Sequence, residues 1–501
     1  MGRDRYRPIV YVRGYAGSQG AVEATVSTPY MGFNLGSTKL RQQADGSVVS
    51  HIFESPLIRL GKDHGYEDVY YRGELFPPPG QVPDRSMWIF RYYDQVSLEL
   101  PDQPAERPEI ETYARQLAEF LADIRDRVCG PAGSSHEADD ARADFGVYLV
   151  AHSMGGLIAR CFLQRIVDEL ADPVKIDKVF TYGTPHGGID LKVVGNLLNR
   201  LPVNNADTFS RPHMREYLGL DADEDVRSLG GKYEPERFFC LVGTNSGDYD
   251  AALGLSRHAV GPTSDGLVRI SNAYVQGSPR AYVHRSHSGD YGIVNSEDGY
   301  QNLRRFLFGD HAVRIDLDVK NVTLPPEIWK AAEAGRTIRA SYHVEVTAKV
   351  RGARWDLHRR SVAEASAQFL TYARIQQPDP ITLVTGYLLD SARVDPDEES
   401  LGFSLDLGIL VPQYEVDGRL WFKDYYDGGY IFRDKFNLEL VQGDEPRLRY
   451  GRDTRTTNRT TQAVSGTALN DGGWEFRIPV DGGESHPRLD GTLIITSRRP
   501  T

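Results

Sequence analysis

Phe145-Gly-Val-Tyr-Leu-Val-Ala-His-Ser-Met-Gly-Gly-Leu-Ile158 decides the fold. Its first six residues are apolar or small on both faces of an extended chain, as in a central parallel strand covered on either side. The strand ends at Ala151. From Leu157 onward, Ile158, Phe162, Ile166 and Leu170 recur four apart, which predicts one face of a helix reaching Leu170. Between strand and helix stands Ser153, followed two positions later by Gly155. This is the nucleophile elbow G-x-S-x-G with Ala151 in the first place, where small residues let a serine occupy a strained strand-to-helix turn. A serine at such a corner can also be only a helix cap. The buried strand before Ser153 and the helix after it favour the nucleophile.

Working outward, Ile9-Val-Tyr-Val12 reads as a strand that runs into a Gly-rich turn, Arg13-Gly-Tyr-Ala-Gly-Ser18. Gln19 to about Arg85 shows little periodicity, and Met87–Tyr93 is the next strand. Ile110, Ala114, Leu117, Leu121, Ile124 and Val128 mark the face of an amphipathic helix. Lys178–Tyr182, Phe238–Val242 and Arg280–His284 read as further strands. Ser296 caps a last helix, with Glu297 and Asp298 in its first turn and Gly309 beyond its end. Alternation of this kind predicts a mostly parallel sheet covered by helices, an α/β domain over residues 1–309. From about Asp310 the period changes to two, as in Val313–Val319, Tyr342–Ala348, Phe403–Leu407, Phe436–Leu440, Trp474–Ile478 and Thr492–Thr496. Half-buried antiparallel strands follow from that, and a β-sandwich-like second domain over residues 310–501. Helices are expected within it near Pro325–Ala334 and Val362–Ala373. A chain of 501 residues itself asks for two domains.

A serine hydroxyl keeps its proton at neutral pH, so it needs a histidine base and an acid that holds the base's tautomer. Behind an elbow of this type the chain order is serine, acid, histidine. Thr263-Ser-Asp-Gly-Leu-Val268 offers Asp265, whose plainer reading is a turn aspartate. His284-Arg-Ser-His-Ser-Gly-Asp290 offers His287 in a loop past the last strand. His284 is the competing base, at the strand's end, where it would pack or point outward. The oxyanion formed on attack needs two N–H donors. The backbone of Met154 supplies one, and the Gly-rich turn supplies the other, at Tyr15. That turn lacks the G-K-[ST] ending of a phosphate loop. Because neutral imidazole is the working base, activity should rise with pH.

Composition removes several classes. With 58 Lys and Arg against 70 Asp and Glu, the net charge of −12 argues against a phosphate-binding surface and against nucleic acid as partner. Cys129, Cys161 and Cys240 are too few for a disulfide framework, and Cys161 reads as a small buried hydrophobe. With no C-x-x-C, H-E-x-x-H or EF-hand spacing, neither metal nor cofactor is expected. The first apolar stretch is short of the roughly 7–15 residues of a signal peptide. No stretch reaches the roughly 18 apolar residues of a membrane span. A cytoplasmic protein is therefore expected, in which the sequons at Asn321 and Asn458 would stay unmodified.

Ile9–Ser18, Ala151–Gly156, Tyr182-Gly-Thr-Pro-His-Gly-Gly188, Ser264–Val268 and the His287 loop together resemble α/β-hydrolase lipases. The bacterial class 2-type triacylglycerol lipases and the GPI-inositol deacylase-like esterases are the groups most similar, over roughly residues 8–309. The resemblance implies an α/β-hydrolase fold and a serine carboxylic-ester hydrolase working through an acyl-enzyme. It implies Ser153 as nucleophile, Asp265 as acid, His287 as base, and Tyr15 and Met154 as oxyanion donors. The substrate would be an ester or lipid, with transient contact to a lipid surface. His186 would be structural, in a segment that frames the pocket. One departure stands out: Arg13-Gly14 replaces the usual His-Gly, a histidine with no part in the proton relay. The same triad serves an acyltransferase, and a hydrolase fold with a dead site would be a binding protein. Residues 189–237 are expected to form a cap over Ser153. There Val193, Val194, Leu197, Leu198 and Leu201 give an apolar face, and Asp221–Asp225 an acidic, solvated run. The β-domain's partner is unknown.

Overall fold

Strands without polar alternation end up buried on both faces, and they build the centre of the first half of the chain. The strands there are β1 (Ile9–Val12), β2 (Ser37–Gln42), β3 (Val48–Phe53), β4 (Glu67–Asp68), β5 (Ser86–Phe90), β6 (Gly146–His152), β7 (Lys175–Tyr182), β8 (Phe238–Gly243) and β9 (Arg280–Val283). Seven of them form one sheet in the order β4-β5-β1-β6-β7-β8-β9. Every pairing from β4 to β8 is parallel. The mostly parallel sheet with its helices fits the α/β-hydrolase architecture. The computed structural model describes residues 6–14, 36–42, 46, 48–69, 78–90, 92, 109–189, 206–249, 260–393, 400–417, 423–443, 445–453, 461–483 and 487–500.

β6 lies in the middle of the sheet. Register places Val12 opposite Ala151, Tyr182 opposite His152, and Leu241 opposite Tyr182. The carboxyl ends of β1, β6, β7 and β8 are therefore level, and the loops leaving them converge on one edge. The helices are α1 (Pro56–His64), α2 (Ile110–Cys129), α3 (His136–Ala143), α4 (Met154–Gln164), α5 (Arg211–Leu218) and α6 (Glu297–Phe308). The buried face of α2 is the periodic set Ile110, Ala114, Leu117, Leu121 and Ile124, and it packs on α4. α4 is buried along its whole length and stops at Gln164, short of the helix expected to reach Leu170. Arg165 leaves helical geometry at φ −130° while its guanidinium is held by Glu111 and the Glu216 carbonyl. A single 3-10 turn, Ile166–Glu169, follows. Tertiary hydrogen bonds outweigh the local period here.

The aperiodic stretch after Gln19 contains a hairpin, β2 paired with β3 in antiparallel register. Five residues, 43–47, join the strands, and they include Asp45-Gly46, turn-forming residue types that the aperiodic stretch offered as a signal. Ser37 and Phe53 are buried on one face of the ribbon, whereas Leu40, Val48 and Ile52 are exposed on the other.

The described chain divides into two compact units, Met1–Arg280 with Arg285–Leu303, and Ala281–His284 with Arg304–Thr501. The second unit is rich in antiparallel strand. Its sheets of five and seven strands contribute inward residues to one apolar core, among them Ile315, Leu317, Leu405, Phe436, Ile478 and Leu493. The helix expected near Pro325–Ala334 is present at Pro326–Glu333. The one expected near Val362–Ala373 is not. Gln368–Thr371 is instead a strand paired with Ile338–Val350, which buries Leu370, and only Tyr372–Ile375 is helical. Among the described residues no helix is long and apolar enough to cross a membrane.

Candidate active site

Ser153 sits between the last residue of β6 and the first of α4, at φ 53° and ψ −126°. A non-glycine residue there carries roughly 1–3 kcal/mol of strain, which persists only when the surroundings enforce it. Ser153 N donates to Tyr182 O at 3.0 Å, and Gly156 N donates to Ser153 O at 3.1 Å. Gly155 lets α4 approach β1: a Cβ there would come within 2.3 Å of Val12 O and 2.6 Å of Arg13 O. Strand, turn and helix thus lock the serine at the sheet edge without a side-chain cap bond from Ser153.

The edge brings three expected residues together. His287 Nε2 lies 3.0 Å from Ser153 Oγ, and His287 Nδ1 lies 2.8 Å from Asp265 Oδ2. All three are buried, at 8%, 3% and 1% exposure for Ser153, His287 and Asp265. The other carboxylate oxygen of Asp265 accepts from Leu267 N at 3.0 Å and Val268 N at 2.7 Å, which orients the side chain within its turn. His287 N donates to Asp265 O at 2.9 Å, so acid and base are also joined through the backbone. His284 is elsewhere, 3.7 Å from Glu364. His186 is buried with Nε2 at 3.1 Å from Thr181 Oγ1, remote from the serine's hydrogen bonds.

Met154 opens α4, where the first backbone N–H groups of a helix have no intrahelical acceptor. Tyr15, the other expected oxyanion donor, lies outside the described residues. So do Val193, Val194, Leu197, Leu198 and Leu201 of the expected cap. The described part of that segment is anchored on α4. Met214, Tyr217 and Leu218 of α5 are buried, and Gln164 Nε2 donates to Leu218 O at 3.4 Å.

Residues around the site also went unread in the sequence, His152 with its neighbour Tyr249 first among them. His152 Nε2 donates to the His287 carbonyl at 2.9 Å, and the two imidazoles pack at 4.9 Å. Burial first, and the neighbouring His287 second, push its pKa down to about 3, so it is neutral with its proton on Nε2. The edge of Tyr249 closes on His287 from another side at 5.6 Å. Another is Arg160, fully buried on α4. It donates to Gln164 Oε1 at 2.9 Å, His186 O at 3.2 Å, Val226 O at 3.0 Å and Ser228 O at 2.5 Å. Burial lowers its pKa to about 10. A lone arginine in the apolar run Leu157–Leu163 is the signal that could have found it.

No family model and no curated protein matches the chain. Among solved structures it is similar to a Bacillus licheniformis lipase, BlEst2, at 16% identity and a TM-score of 0.33, over 60% of this chain and 91% of that one. It is similar to the Legionella pneumophila phospholipase PlaB at 13% identity and a TM-score of 0.34, over 80% and 86% of the two chains. A metagenomic carboxyl esterase, MGS0156, aligns at 13% identity and a TM-score of 0.32, over 60% and 73%. At these scores the functional reading rests on the geometry of the site itself.

Proposed function

We propose that the chain is a serine carboxylic-ester hydrolase. The observation that carries this reading is the position of His287, within hydrogen-bond reach of a strained serine on one nitrogen and of a buried carboxylate on the other. Asp265 accepts from Nδ1–H, which leaves the Nε2 lone pair facing the serine. His287 Nε2 takes the Ser153 proton as Oγ bonds to the ester carbonyl carbon. The carbonyl electrons move to its oxygen, and the Met154 N–H stabilises that oxyanion together with the N–H of Tyr15, the second donor that the family resemblance implies for this chain. Collapse breaks the ester C–O bond, and the leaving alkoxide takes the proton from His287. Water, deprotonated by His287, then attacks the acyl-enzyme and releases the acid and Ser153.

The test is turnover of p-nitrophenyl esters together with labelling by a fluorophosphonate. Ser153→Ala, Asp265→Asn and His287→Ala are each expected to lower kcat by roughly three orders of magnitude or more, the aspartate change being the mildest. Labelling should disappear in Ser153→Ala. Wild-type protein that neither hydrolyses an activated ester nor takes the label would sink the reading.

A further inference from the structure

The hairpin of β2 and β3 grips the loop that carries His287 on both of its flanks. Two residues before the base, Arg285 Nη1 donates to His51 Nδ1 at 2.7 Å, while Arg285 Nε donates to Asp298 Oδ2 at 2.6 Å. Three and four residues after the base, Ser37 Oγ donates to Asp290 O at 3.0 Å, and Arg41 lies 4.0 Å over the Tyr291 ring. His51 also meets the Tyr291 ring, edge-on at 4.9 Å. Arg41 also forms a two-pronged pair with Asp248, Nη1 to Oδ2 at 2.7 Å and Nη2 to Oδ1 at 2.8 Å. Asp248 in turn accepts from Asn245 Nδ2 at 2.5 Å, and Asn245 N donates to the Arg285 carbonyl at 3.1 Å. One closed circuit therefore runs from the hairpin through the loop after β8 and back into the base's own loop.

We propose that this hairpin is a brace that positions His287, with Arg41 as its main positioning residue. The inference rests on the ester-hydrolase reading above and adds an element that the triad alone does not require. The physical reason is leverage. A base must hold its nitrogen within a few tenths of an ångström of the serine, and a displacement of 1 Å can cost about a hundredfold in rate. A loop between a strand and a helix does not supply that stiffness by itself. A planar guanidinium bonded at two points to a carboxylate and stacked on an aromatic ring does. Arg41 meets Asp248 and Tyr291 and none of the three triad side chains, so its loss should appear in the chemical step and not in binding.

The experiment uses the full chain and p-nitrophenyl acetate, with thermal melts showing that each variant is folded at the assay temperature. Arg41→Ala and Asp248→Ala are each expected to lower kcat about tenfold or more while KM stays within about twofold. The charge-swapped double variant, Arg41→Asp with Asp248→Arg, should recover part of the loss. Arg41→Lys keeps the charge but not the fork and should fall in between; it also carries the test if the alanine variant does not fold. Leu40→Ser with Ile52→Ser, on the ribbon's outer face, should leave both constants unchanged. A lowered melting temperature with unchanged kcat in Arg41→Ala, or a swap no better than the single variants, overturns the brace while fluorophosphonate labelling of Ser153 still upholds the hydrolase. Wild-type protein inert to label and ester overturns the site reading, and the brace with it.

Discussion

Gly183 shows how little room the relay has. It follows β7 at φ +51°, a conformation that costs glycine nothing, and a Cβ there would lie 2.9 Å from Asp265 Oδ2 and 3.2 Å from His287 Nδ1. Gly183→Ala should therefore push acid and base apart, lowering kcat roughly a hundredfold with KM for a small ester little changed. Steady-state kinetics beside a circular dichroism spectrum checks this, and an unimpaired kcat counts against the relay. At this scale the sequence was informative about chemistry. Ser153, Asp265 and His287 are legible from residue type, chain order and the turn or loop each occupies. His152 was not, because its value lies in a hydrogen bond to the carbonyl of His287, 135 residues away. No local pattern encodes that.

Between elements, Arg160 is the tie. Its guanidinium joins α4 to the carbonyls of His186, Val226 and Ser228, separated from it by 26, 66 and 68 residues. Arg160→Met keeps the apolar stem but removes the donor from the His186 and Val226 carbonyls, while Ser228 O keeps Gln164 Nε2 at 3.4 Å. The change is expected to cost about 2 kcal/mol or more, since each orphaned buried polar group costs about 1–3 kcal/mol. Urea unfolding measures it, and limited proteolysis should cut first in the segment after α5. A loss below about 1 kcal/mol would mean that water replaces the guanidinium. The elbow is the element that sequence describes best: apolar strand, small residues and helix are all local. The hairpin went unread in the sequence, because its ribbon packs one face by ion pairs, Lys39 with Asp290 and Arg41 with Asp248, and lacks the apolar alternation of a core strand. The strand at Gln368–Thr371 was misread as helix for a related reason, its partner being a strand almost thirty residues earlier.

The whole molecule should be acid-sensitive through histidines that the fold keeps neutral. Burial, helped by His287, lowers His152 to about 3; burial, helped by Arg285 and Arg41, lowers His51 to about 4; burial and then Arg160 hold His186 well below the usual range. In the unfolded chain each titrates at about 6.5. Between that value and the folded ones the unfolded state binds more protons, so stability is full above about pH 6.5 and is lost as pH falls toward 4. Urea midpoints of the triad-bearing unit should drop steadily from pH 6.5 to 4.5, and His152→Gln should flatten part of that slope; a flat wild-type profile would contradict the neutral burial. The sequence by itself determined what is local. It set the alternation of strand and helix before residue 310, the change to period two after it, the strained turn at Ser153, and which side chains are able to do acyl chemistry. Tertiary structure alone brought that imidazole to the serine, closing the 134-residue separation of His287 and Ser153 to 3.0 Å while His284 lies 3.7 Å from Glu364. It also decided that a polar hairpin far upstream holds that imidazole's loop. Such choices depend on strand order, register and packing, which arise from contacts between distant segments and leave no period in the chain.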